Sequence, residues 1–130
     1  MRYSRIYVPC IAVLAVTLMG GCFGKKKIAP VAGTSAEPDK VLYTRAVEDI
    51  RHSRYTIGRL GFQTLINTYP DSEYLAKAKL AIADSYFKEG GTAGMKQAIV
   101  EYKDFITFFP FLDEASYAQL QVAMAHYHQM

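Results

Sequence analysis

The stretch GRLGFQTLINTYP, residues 58–70, returns forty residues later as AIVEYKDFITFFP, residues 98–110. Under that shift Gly58, Phe62, Leu65, Ile66, Tyr69 and Pro70 fall on Ala98, Tyr102, Phe105, Ile106, Phe109 and Pro110. The register persists past the proline, where Ala78, Leu80, Ile82 and Ala83 fall on Ala118, Leu120, Val122 and Ala123. Small residues stay on small ones and large on large. A period of this size marks stacked supersecondary units rather than one mixed core.

Within each copy the apolar residues recur at spacings near three and four, as in Ile57, Leu60, Phe62, Leu65, Ile66 and Tyr69, which places them on one helix face. Pro70 and Pro110 end these helices, because proline disfavours helical geometry in the residue before it. Asp71-Ser72-Glu73 offers side-chain acceptors to the free amides of the next helix. The expected chain is all-α, with helices near 40–52, 55–69, 73–88, 94–109 and 113–128, no strand, and Gly90 to Gly94 as a turn between helices.

These features resemble the tetratricopeptide repeat, whose second helix carries a small residue, an aromatic, a small or apolar residue and a proline. Gly58, Phe62, Leu65 and Pro70 keep that spacing, as do Ala98, Tyr102, Phe105 and Pro110. Leu65 and Phe105 are larger than the usual Ala, and the period exceeds the usual length of about 34 residues. The resemblance implies an α-solenoid of about two and a half helix-hairpin repeats, at 39–72, 73–112 and, in part, 113–130. Helix 113–128 lacks the second helix of its repeat, and arrays of this kind are stable from about three repeats. The reading is therefore of an N-terminal portion of a longer array.

Outward from the repeats, the N-terminus begins with cationic MRYSR, continues with an apolar run from Ile6 to Met19, and stops at Gly20-Gly21-Cys22. The apolar run is short for a membrane span, which takes about 20 residues. A cationic start, a short apolar core and small residues at a cut site make a signal peptide. With Cys directly after the small pair, residues 1–21 resemble a bacterial lipoprotein signal, Met19 standing where Leu is usual. That resemblance implies a diacylglycerol thioether and an acylated amine on Cys22, with no other cofactor. Cys10 would leave with the signal, so the mature chain has no disulfide framework. Residues 22–40 have linker composition, and 41–130 form the repeat domain.

The whole chain carries a net charge of +3, but from Val41 onward nine Lys or Arg face ten Asp or Glu. The basic excess belongs to the signal and linker, so the domain has no footprint for nucleic acid. Gly90 to Gly94 with Met95-Lys96 fails as a phosphate loop, since Met95 stands where the Lys must be and a helix precedes it. His126 and His128 are two apart, which does not pair metal ligands on a helix. No nucleophile has a base in recognisable order, so no enzyme and no metal site is expected.

A lipoprotein signal, a short linker and repeats containing FQTLINTYPDSEYLAKAKLAIADSYFKEG (residues 62–90) and FITFFP (residues 105–110) resemble the BamD (ComL) family. These are lipoproteins of the outer-membrane β-barrel assembly machinery. The resemblance implies a non-enzymatic protein on the periplasmic leaflet of the outer membrane. Its partners would be assembly subunits, unfolded outer-membrane protein clients and, through the lipid anchor, the membrane. Phe23 after Cys22 fits export to the outer membrane. Carrying over the family's concave face gives a peptide groove of Tyr43, Val47, Ile50 and Arg51, then Lys77, Asp84, Phe87 and Lys88, then Tyr117, Met124, Tyr127 and His128. Each of these also has a plain reading as packing between helices. A scaffold or pilotin lipoprotein of another envelope machine, in type IV pilus assembly or cell-wall synthesis, is the alternative function.

Overall fold

The structure, a computed structural model, describes residues 37–130. The expected signal peptide, the expected lipidation site Cys22 and most of the expected linker lie outside the described residues. Five helices follow one another, α1 Pro38–Arg51, α2 Tyr55–Thr68, α3 Leu75–Glu89, α4 Gly91–Phe108 and α5 Glu114–Tyr127, and no strand occurs among the described residues. α1 and α2 form one antiparallel hairpin and α3 and α4 a second; α3 packs on α2, and α5 on α4. Each helix packs chiefly on its neighbours in sequence, with lighter contacts of α1 on α3 and of α3 on α5. That is the packing of a solenoid.

The forty-residue register is written into the burial. Phe62 and Leu65 are fully buried in a first core with Ala46, Ala78 and Ile82. Tyr102 and Phe105 occupy the same places in a second core with Ala83, Ala98 and Ala118. Gly58, the partner of Ala98, shows why the first position is small. A Cβ there would stand 2.5 Å from Ile50 Cδ1 and 3.0 Å from the carbonyl oxygen of Ala46, so glycine lets α2 close on α1.

The helix boundaries depart from expectation by more than one residue in three places, each for a local reason. α1 starts at Pro38, so the last three residues assigned to the linker are helical. Proline suits a first helical turn because the amide it lacks has no partner there. α3 starts at Leu75 rather than 73, and its N-cap, Tyr74, makes no side-chain cap. Ser72 instead serves the turn: its Oγ accepts the Tyr74 amide at 3.0 Å and donates to Asp39 Oδ2 on α1 at 2.6 Å. That bond holds the Asp39 carboxyl below its ordinary value.

The third departure corrects the glycine turn. Only Gly90 separates α3 from α4, and Gly91 to Gly94 form the opening turn of a helix 18 residues long, against 14 in α2. Gly90 has φ 76°, ψ −160°, and Gly91 has φ 67°, conformations costly for any residue with a Cβ. Two such residues reverse the chain within one position. The surplus length of the repeat therefore enters α4 as an added helical turn, not as a loop.

Candidate functional site

α1 and α3, the first helices of the two complete repeats, face each other across a cavity of about 330 Å³. Val47, Ile50 and Arg51 reach it from one face of α1, being three and four apart; Ala81, Asp84 and Lys88 reach it from α3 on the same principle. Phe62 of α2 completes an apolar floor of Val47, Ile50 and Ala81, while Ser53 and Tyr55 close the end at the α1–α2 turn. That turn is held by Asp49, whose carboxylate, 12 % exposed, accepts Arg54 Nη2 at 2.6 Å and Nε at 2.9 Å. Ser53 takes φ 59° there. The result is an apolar trough with two exposed cations, Arg51 and Lys88, and one carboxylate at its edges.

Five of the twelve expected groove residues, Val47, Ile50, Arg51, Asp84 and Lys88, thus meet in one place. Tyr43 does not join them. It stacks on Tyr74 at 5.0 Å between ring centroids and tilts against Phe62 at 5.7 Å, as part of the first core's flank. Lys77 is exposed and holds its Nζ 5.5 Å from the Tyr74 ring. The remaining five belong to the step between α3 and α5. Phe87 meets His128 edge to face at 5.8 Å, Tyr127 flanks His128 at 6.1 Å, and Met124 is partly exposed beside them on α5.

Asp84 joins the two zones. Its Oδ1 accepts the hydroxyl of Tyr102 at 2.6 Å and that of Tyr117 at 3.0 Å, so one carboxylate ties α3 to α4 and α5. Burial, then the bond to Asp84, pushes the Tyr102 phenol far above its ordinary value of 10.0, and the Tyr117 phenol rises for the same reasons. The folded state therefore keeps these protons when the unfolded chain has begun to lose its own. By linkage, the stability these two phenols contribute is fully present below the unfolded value near 10 and is lost as pH rises above it. In Tyr102→Phe that alkaline decline is expected to be shallower than in wild type, measured as urea midpoints between about pH 9 and 11.

Arg59 was not among the expected site residues, although it carries much of the joint between repeats. Its guanidinium lies 4.1 Å from the Tyr86 ring centroid and its Nη1 donates to Glu89 Oε2 at 2.7 Å, with the side chain only 14 % exposed. Nothing in the local sequence pairs Arg59 with residues 27 and 30 positions away; the contact follows from how α2 meets α3. Phe62, expected on the apolar face of its helix, also lines the floor, as does Ala81, which the sequence did not single out.

Among the described residues no three His, Cys, Asp or Glu side chains converge as metal ligands, and no helix is long and apolar enough to cross a membrane. No curated protein matches the chain significantly. A family model described as outer membrane lipoprotein, YfiO, matches residues 35–130. The match takes in every described helix, both cores and the trough between α1 and α3. With nearly three quarters of its length matched, the chain belongs to the YfiO family of outer membrane lipoproteins.

Proposed function

We propose that this chain is a non-enzymatic, lipid-anchored component of the outer-membrane β-barrel assembly machinery, of the BamD type, and that it binds segments of unfolded barrel precursors in the α1–α3 trough. The lipid would sit on Cys22 and hold the protein at the periplasmic leaflet. Membership in an outer membrane lipoprotein family supports the location. The observation that carries the binding reading is the pairing of an apolar floor, Val47, Ile50, Phe62 and Ala81, with Arg51 and Lys88 at the rim. An extended apolar segment ending in a carboxylate matches both: its side chains cover the floor, and its terminal oxygens accept from the cations.

Binding of one peptide in two forms, with a free terminal carboxylate and amidated, tests the reading. Arg51→Gln combined with Lys88→Gln is expected to weaken the acid form about 5- to 10-fold more than the amide, the scale of a charge-assisted bond set against a neutral one at exposed positions. Equal losses for both forms, or no binding of a barrel's terminal-strand peptide by the folded mature protein, would reject the groove while leaving the family unaffected.

A further inference from the structure

The turn between α4 and α5 differs in kind from the turn that it repeats. Where the first holds Thr68, Asp71 and Ser72, the second holds Phe108, Phe111 and Leu112. Phe111 is 97 % exposed, Phe108 64 % and Leu112 40 %. The fold does not require them, because the equivalent turn closes with polar residues and Phe109, the counterpart of Tyr69, makes the packing contact, 5.3 Å from Phe105. Three large apolar side chains clustered at one exposed tip mark an interaction site rather than ordinary surface.

The place of the tip narrows the partner. The Ser72–Asp39 bond sets the start of α1 against the α2–α3 turn. Lys79, near the start of α3, holds its Nζ 4.4 Å from the Phe108 ring centroid. The start of α1, the α2–α3 turn and the apolar tip therefore share one edge of the solenoid, and it is at this edge that the N-terminal segment joins. Fully extended, the chain from Cys22 to Pro38 reaches no more than about 55 Å. A domain anchored through Cys22 would be held by this edge within that distance of the bilayer.

We infer that Phe108, Phe111 and Leu112 enter the interfacial layer of the membrane, a second contact that orients the domain with this edge toward the lipid. The inference rests on the lipid-anchor reading of Cys22. A protruding tip suits a fluid lipid surface, where a partner helix would call for a groove. Charge does not drive the contact, since Glu37, Asp39, Asp71, Glu73, Asp113 and Glu114 outnumber Lys40, Lys77 and Lys79 on this edge. Apolar burial does, and a zwitterionic surface is the preferred one.

The chain contains no tryptophan, so Phe111→Trp supplies a single reporter at the tip and His52→Trp a control at the opposite edge, in the α1–α2 turn. Each full chain, processed by the cells that express it, is reconstituted into phosphatidylcholine vesicles containing a doxyl-labelled lipid. The tip tryptophan is expected to shift its emission to the blue and lose more than half its intensity, the control to do neither. Exchanging part of the phosphatidylcholine for phosphatidylglycerol should reduce the quenching. A tip tryptophan that keeps water-like emission on protein that floats with the vesicles would overturn the inference and give the patch to a protein partner. Protein that does not float would instead overturn the lipid anchor. The same variants held on nickel-chelating lipid by an N-terminal histidine tag then decide the tip by the same readout.

Discussion

Cells expressing Cys22→Ala in place of the wild-type chain should incorporate no radioactive fatty acid into this protein, and should keep it with its signal attached or release it into the periplasm. The effect is large because each buried methylene contributes about 0.8 kcal/mol, and two or more acyl chains together hold a protein stably where one does not. Nothing among the described helices replaces them, since none can cross a membrane. The tip at Phe108, Phe111 and Leu112 offers too little area to anchor the domain without the lipid. Equal labelling of wild type and variant would remove the lipoprotein assignment from Cys22, while the family membership, which rests on residues 35–130, would stand.

The second large effect is on folding. Tyr102→Ala is expected to cost about 3 to 5 kcal/mol, since it empties the space of the largest fully buried side chain. A domain of this size holds on the order of 5 to 14 kcal/mol in total. The urea midpoint should fall by roughly 2 M, followed through the helical circular dichroism signal. Tyr102→Phe separates the two contributions: the ring still fills the second core, and only the bond to Asp84 is lost. It should cost about 1 to 2 kcal/mol, because Asp84 keeps Tyr117 and is partly open to water. A loss below 1 kcal/mol in Tyr102→Ala would mean that the second core collapses around the gap.

Most of the fold was legible because helical periodicity and the forty-residue register are set by side-chain size, which the sequence states directly. Phe62 with Tyr102 and Leu65 with Phe105 were paired by size alone, and they are the pillars of the two cores. The glycine run was misread because composition does not say how many residues a reversal consumes. Left-handed backbone at Gly90 and Gly91 needs only one residue between helices, so the rest became helix. In the groove set, which came from the family resemblance, Val47, Ile50 and Arg51 lie together on one face of α1. What periodicity leaves open is which of two neighbours on a half-buried face turns inward. Tyr43 turned toward Tyr74, and Asp84 found phenols on two other helices.

The Ser72–Asp39 bond also bears on how this domain would carry load. If the domain is tethered by its N-terminus, as proposed, and engaged by a partner elsewhere, it would be under tension, and the pull would enter at Pro38. Without a cross-link that tension would peel α1 from the stack one turn at a time, the weakest way to load a helix. Asp39 stands one residue inside the point of attachment and is clipped to the α2–α3 turn at 2.6 Å. Peeling the first turn of α1 would therefore first have to break this bond, so part of a pull on α1 would be passed to the joint between α2 and α3.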